Sequence, residues 1–75
     1  SLGNGWLVVG VKVDKRFAGM TASELPLKDE ELRLALVKRG TQVWQAPFEG
    51  LELQEKDQLV LMGTLHDLLR FSKAQ

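Results

Sequence analysis

Residues 39–63 constrain the fold most, because turn and strand signals follow one another there with little room for a helix. A glycine-containing turn, Arg39-Gly40, separates two strand-like runs, which indicates a β-hairpin. Pro47 limits the second hairpin strand, since proline cannot donate to a central ladder. Asp57 then precedes a short apolar run that predicts a buried strand, and Gly63 is expected to end it.

The hairpin decides how residues 31–38 are interpreted. Their leucine, alanine, glutamate, arginine and lysine are good helix formers. The alternation of Leu32, Leu34 and Leu36 instead predicts a strand with these three side chains on one face. Because a hairpin needs a strand on both sides of Gly40, we interpret the segment as a strand.

The remaining segments predict one more strand and two helices. Residues 7–13 alternate apolar and polar positions toward their end, as a half-buried strand does. Thr21 and Glu24 can form a capping box, which predicts a helix of one or two turns before Pro26.

At the C-terminal end, Thr64 is expected to cap a second helix. There Leu65, Leu68 and Leu69 are predicted to share one side at helical spacing, with Arg70 and Lys73 in the last turn. The order strand, short helix, three strands, helix predicts an α+β fold of two layers. In it, a mainly antiparallel sheet of about four strands carries two helices on one face.

The chain is short enough for one domain only. We expect residues 1–6 to be a flexible N-terminal segment and residues 7–75 to be a single domain that is a fragment of a larger protein. The start at Ser1, without an initiator methionine, indicates an excised fragment or a trimmed tag. With no cysteine and one histidine, the sequence excludes disulfides and thiolate or multi-histidine metal sites. Since a core this small leaves a thin stability margin, oligomerisation or attachment to a larger chain is the remaining common support.

Charge and motif content exclude several function classes. Ten basic and ten acidic residues are interspersed, without the basic stripe that nucleic-acid binding needs. No apolar run approaches the roughly 20 residues that cross a bilayer, so no direct membrane insertion is expected. No nucleophile pairs with a base: His66 is interpreted as a helix surface residue and the acidic run 29–31 as a solvated turn, so an enzyme is not expected.

The order of these motifs resembles the C-terminal domain of RCK proteins (regulators of conductance of potassium), the TrkA-C family. The resemblance covers about residues 7–71. It rests on the valine-rich first strand, the Gly19-led short helix, the Arg39-Gly40 turn, Pro47, and the closing strand of residues 57–63. Two positions depart from the family pattern. Lys56 stands where the family usually has glycine before the aspartate, and Ala22 stands where a larger apolar residue is common.

The resemblance implies a cytoplasmic regulatory domain of a potassium channel or another transporter, with the membrane-embedded part in the same chain or in a partner chain. Such domains form homodimers, and some bind a small effector, with cyclic di-AMP at the dimer interface in some families. No cofactor is implied, and the effector, a nucleotide or a divalent cation, stays open. The alternative is a purely structural oligomerisation module without a ligand, attached to another type of transporter; a hydrolase or transferase fragment is a third class.

Three cations are candidates for binding an anionic effector. Lys15, Arg16 and Arg39 lie at turns that bound strands expected to adjoin in the sheet, so they could converge on a phosphate. The alternative, and the more common case, is that they are ordinary solvated turn cations.

Three aromatic residues, Trp6, Trp44 and Phe48, are candidates for a dimer surface, because aromatic side chains are enriched in interface cores. In a regular strand Trp44 and Val43 point to opposite faces, so one of them must lie away from the primary core. Burial of Trp44 beneath a helix or the loop at Phe48 is the alternative.

Overall fold

Four antiparallel strands form one sheet in the computed structural model, which describes residues 5–27 and 31–75. The strands are β1 (Trp6–Lys12), β2 (Arg33–Arg39), β3 (Gln42–Gln45) and β4 (Gln58–Thr64), and they lie in the order β1-β4-β2-β3. A 3₁₀ turn spans Ala22–Glu24, and helix α1 spans Leu65–Lys73. No helix among the described residues is long and apolar enough to cross a membrane. Residues 1–4 of the predicted flexible segment lie outside the described residues.

The hairpin prediction is confirmed, and with it the strand assignment upstream. β2 pairs with β3 through Arg39↔Gln42, and Gly40 makes the turn with a φ of 58°, in the left-handed region that glycine adopts readily. The expected common face of the three leucines is wrong. The register of β2 against β4 shifts between Leu34 and Leu36, so Ala35 is the extra residue of a bulge. Leu34 therefore faces the core, whereas Leu36 faces the opposite side.

Gly63 does not end β4, which continues to Thr64. A Cβ atom at Gly63 would lie 2.6 Å from the backbone oxygen of Glu31. Glycine is therefore required here because the chain leading into β2 passes directly against the strand, not because the strand stops.

Residues 5–27 and 31–75 contain one α-helix, where the sequence predicts two helices. Residues 22–24 form a single 3₁₀ turn, and the capping interaction is present, with the Thr21 amide donating to Glu24 Oε1 at 2.8 Å. This bond to the exposed Glu24 lowers the pKa of its carboxyl. Leu25 is already extended (φ −62°, ψ 146°), the conformation that a following Pro26 favours. The proline thus leaves no second turn, and the helical layer consists of α1.

Helix α1 follows β4 directly and is capped as expected, with the Asp67 amide donating to Thr64 Oγ1 at 3.3 Å. Its buried stripe is Leu68 and Phe71, however, while Leu65 and Leu69 are 57% and 52% exposed. The predicted common side for Leu65, Leu68 and Leu69 is therefore wrong. With no connecting loop, the cap at Thr64 sets the rotation of the helix and turns the i, i+3 pair 68 and 71 toward the sheet.

The sheet buries one face, which we call the core face. Leu59 and Leu61 of β4 and Val37 of β2 are fully buried there. Phe71 of α1 meets Phe17 from the connection after β1, with ring centroids 5.1 Å apart. The other members of the core are Val13, Leu25, Leu32, Leu53 and Leu68.

Lys56 has a φ of 77°, a left-handed conformation that costs a residue with a Cβ about 1–2 kcal/mol. Lys56→Gly should raise the free energy of unfolding by about 1 kcal/mol, since glycine relieves the strain but loses more backbone entropy. Thermal denaturation should show an increase in Tm of about 4–8 °C. Lys56→Ala is the control, because it removes the charge and keeps the Cβ. An equal gain in both variants would show that the charge, not the backbone, sets the effect.

Candidate functional site

Two long connections, one after β1 and one after β3, pair with each other beside the core face of the sheet. The connection after β1 is joined to the one after β3 by Gly19 N to Leu53 O and Leu53 N to Met20 O, both at 2.8 Å. Val13 N to Asp57 O at 2.7 Å and Lys56 N to Val13 O at 2.8 Å join them again nearer β4. These bonds hold each loop at a fixed position relative to the sheet, so side chains on them can contribute to a formed site.

An ion pair between Arg39 and Asp57 closes one end of the sheet. Arg39 Nε and Nη2 donate to the two carboxylate oxygens of Asp57 at 2.7 and 2.8 Å. Gln54 N donates to Asp57 Oδ2 at 2.9 Å, and Arg39 Nη2 also donates to Glu52 O at 3.0 Å. The guanidinium lies 4.8 Å from the ring centroid of Trp44. Such a two-bond geometry fixes both side chains at once.

Electrostatics at this pair favour the charged forms. The hydrogen bonds from Arg39 hold the pKa of Asp57 below its ordinary value of 3.8, although burial opposes them. The same hydrogen bonds raise the pKa of Arg39. Asp57 is 2% exposed, so this carboxylate is inside the protein and supplied with three donors. The sequence showed Asp57 only as a turn residue before a strand. Arg39, at the end of a strand predicted nearby, was the residue that could have been recognised as its partner.

The three predicted effector cations lie at this same end of the sheet, and each is placed differently. Arg39 is engaged with Asp57, Glu52 and Trp44. Arg16 Nη1 donates to Ala74 O at 3.4 Å, and Lys15 is exposed on the turn beside it. Their role as effector ligands stays a prediction.

A cleft of about 640 Å³ opens at the opposite end of the sheet. This volume is within the range of small-molecule sites, roughly 300–1,000 Å³. Its apolar wall comes from the 3₁₀ turn, from the first residues of β2, from β4 and from the connection after β3: Ala22, Leu27, Leu34, Met62 and Phe48. Flat apolar groups of a ligand can be buried against this wall.

The polar groups of the cleft are few. Arg33, the first residue of β2, lines it, and its guanidinium has no hydrogen-bond or ion-pair partner among residues 5–27 and 31–75. The hydroxyls of Thr21 and Ser23 lie 3.0 Å apart at the rim, and Glu49 stands on the loop side. An arginine fork that has no partner among the described residues suits a phosphate group. Sequence reasoning did not select Arg33, although a cation inside the otherwise apolar pattern of residues 32–37 was visible.

The three predicted interface aromatics lie on three different surfaces. Phe48 lines the cleft, and Trp44 is half-buried on the core side of β3 under Arg39. Trp6 begins β1 on the side away from the core, paired with Thr64. Of the pair at 43 and 44, Val43 is the residue turned away from the core, 51% exposed. A dimer role for these aromatics stays a prediction.

The other predicted elements need only brief mention. His66 is exposed in the first turn of α1. Of the acidic run, residues 29 and 30 lie outside the described residues, and Glu31 is exposed. Within the described ranges no group of three or more histidine, cysteine, aspartate or glutamate side chains is placed to hold a metal ion.

Sheet order, the capped helix and the paired connections define a two-layer α+β domain with a cleft at one end. The chain matches the model of the TrkA-C domain over residues 8–75, and it belongs to that family. The family assignment from the sequence is thereby confirmed.

Among solved structures, the chain is similar to the RCK C domain of the potassium transport protein KtrA, determined in complex with cyclic diadenosine monophosphate (c-di-AMP). The two share 25% sequence identity with a TM-score of 0.82, over 93% of this chain and 84% of that one. No curated protein matches the chain with significance. The four-stranded antiparallel sheet and the α+β class are confirmed, with one helix instead of two.

Removing the carboxylate of Asp57 should strongly destabilise the domain. Asp57→Asn leaves Arg39 without its anion, and we expect a loss of about 2–4 kcal/mol in the free energy of unfolding. Urea denaturation measures it. Glu55→Gln, the same change at an exposed position of the same connection, should cost less than about 0.5 kcal/mol. Equal effects of the two substitutions would contradict a structural role for the pair.

The ion pair also predicts a pH dependence. Because the folded-state pKa of Asp57 is lowered, its contribution to stability is present above the unfolded value, near 3.8. That contribution is lost as the pH falls through the folded pKa. Denaturation measured between pH 6 and pH 2 should therefore show that the free energy of unfolding of the unsubstituted chain falls in the acid range. The free energy of unfolding of Asp57→Asn should fall less. Parallel curves for the two proteins would show that Asp57 does not contribute to acid sensitivity.

Proposed function

We propose that this chain is a cytoplasmic regulatory domain of a potassium channel or cation transporter, and that it dimerises and binds a small effector to control transport. Its membership of the TrkA-C family and its likeness to an RCK C domain support this proposal. The observation that carries it is the cleft at the start of β2, with its apolar wall and the guanidinium of Arg33, which has no partner in the part of the chain that the structure describes. The domain of residues 7–75 would then be one part of a larger transport protein or complex.

The effector class follows from the chemistry of the cleft. The related KtrA domain was solved with c-di-AMP, which carries two adenine rings and two phosphates. An apolar wall that includes Phe48 suits an adenine ring, and Arg33 suits a phosphate oxygen. A cyclic dinucleotide is therefore the first effector to test on this chain.

The symmetry of such an effector supports a dimer. One copy of the chain supplies one Arg33, whereas c-di-AMP carries two phosphates related by its own two-fold axis. Two clefts facing each other across an isologous interface would present two arginines and two apolar walls to one ligand. Phe48 and Ser23 would then lie at or beside the interface between the copies.

The mechanism would be a population shift. A ligand that binds one dimer arrangement more tightly than another biases the attached pore by that difference in affinity, and by no more. A purely structural oligomerisation module would show the dimer without the ligand effect, so the two functions differ in their response to a nucleotide.

Ligand binding should depend on Arg33. Isothermal titration of the chain with c-di-AMP should show binding, and Arg33→Ala should weaken it by about 10- to 100-fold, as the loss of a charged hydrogen bond predicts. Lys38→Ala, which removes a cation from the same strand outside the cleft, should change the affinity less than about twofold. Absence of any heat or thermal shift with c-di-AMP at millimolar concentration would contradict this effector.

The dimer can be tested at the rim of the same cleft. Sedimentation equilibrium should give a dimer, and Ser23→Glu should shift the chain toward the monomer by adding a charge to each side of the interface. Ser72→Glu is the matched control, because Ser72 is exposed on α1 away from the cleft. A monomer at high concentration, with and without c-di-AMP, would contradict dimerisation.

A further inference from the structure

The side of the sheet opposite the core, which we call the outer face, is apolar although no element among residues 5–27 and 31–75 covers it. The register places its side chains in rows across the strands. Val8 and Met62 stand in one row with Arg33, and Val60 and Leu36 stand in the next. An antiparallel sheet that faces water normally presents polar residues there, so this face has the composition of a covered surface. Val8 is nevertheless 51% exposed.

The outer face is also basic. Its far row contains Lys12, Gln58 and Lys38 on three neighbouring strands, and Arg33 lies toward the opposite end. The paired positions of this face include no aspartate or glutamate, although the chain as a whole has ten acidic and ten basic residues. The three cations Lys12, Lys38 and Arg33 are therefore not balanced by an anion among the paired positions of this face, and this favours an acidic occupant.

Charge and shape together limit the kinds of partner that can cover the outer face. A second copy meeting the same face would bring the cations of both copies into one interface without an anion, which is unfavourable. A helix is the element that commonly covers the apolar face of a sheet. From the row of Lys12 to the row of Val8 the strands advance four residues, about 13 Å. A helix spans that distance in about nine residues.

We propose that the outer face binds an acidic amphipathic helix of a partner protein or partner domain. The helix would have about three turns, an apolar stripe over Val8, Val60 and Leu36, and acidic residues at the end that lies over Lys12 and Lys38. Binding would add a third layer to the domain. This surface differs from the effector cleft proposed above, although Arg33 and Met62 border both.

Two synthetic peptides of 14 residues test this directly. Both carry leucine at helical spacing on an alanine and glutamine background. One has three glutamates near one end, and the other has three lysines there. In an NMR titration of the ¹⁵N-labelled chain, the glutamate peptide should shift amides along β1 and β4. It should bind at least tenfold more tightly than the lysine peptide, with an affinity that falls as salt rises.

Charge reversal gives the matched controls. Lys38→Glu should weaken binding of the glutamate peptide by about fivefold or more and should leave c-di-AMP binding unchanged. Lys73→Glu, the same change in the last turn of α1, should alter peptide binding less than twofold.

The proposal is overturned if the two peptides bind equally or neither binds at millimolar concentration. It is also overturned if the shifts map to α1. Binding of phosphatidylglycerol vesicles that is lost in Lys38→Glu, without peptide binding, would show a lipid surface to be the occupant instead. Loss of self-association in Lys38→Glu would show a second copy to be the occupant.

Discussion

The buried carboxylate of Asp57 joins parts of the chain that would otherwise meet only through apolar contacts. It accepts from Arg39 at the end of β2 and from Gln54 in the preceding connection, and Arg39 in turn donates to Glu52 and covers Trp44 of β3. A carboxylate that is 2% exposed needs these donors, because an unpaired buried charge would cost several kcal/mol. The pair therefore sets where the long connection after β3 returns to the sheet. That position in turn places the loop that carries Phe48 and the wall of the cleft.

Much of the fold could be predicted from local signals. Gly40 between two strand-like runs identified the hairpin, and the hairpin decided that the leucine-rich segment before it is a strand despite its helix-forming composition. Thr64 identified the start of α1. What could not be predicted depends on how elements meet. The bulge at Ala35 moves Leu36 to the outer face, and the direct junction of β4 with α1 turns Phe71 inward in place of Leu65 and Leu69.

The candidate site was less predictable than the fold, for a physical reason. The sequence indicates which cations lie at or beside turns: Lys15 and Arg16 do lie in a turn, and Arg39 ends β2 just before one. It does not indicate which cation already has an anion. Arg39 is satisfied by a carboxylate 18 residues away in the chain, whereas Arg33, inside a strand, is left without a partner among the described residues. Pairing is a property of the folded chain, so a short-range pattern cannot separate a structural arginine from one available to a ligand.

Strand β2 connects the ion pair, the cleft and the outer face. Its last residue, Arg39, anchors the connection after β3, and its first residue, Arg33, stands in the cleft, with the bulge at Ala35 between them. The bulge does more than curve the strand. By adding one residue, it places Arg33 and Leu36 on the same side of the sheet while keeping Leu34 and Val37 in the core. Without it, a strict alternation starting from Val37 would turn Arg33 toward the core face and Leu34 outward. One extra residue in one strand thus puts both the cation of the cleft and the apolar centre of the outer face on the side of the sheet away from the core.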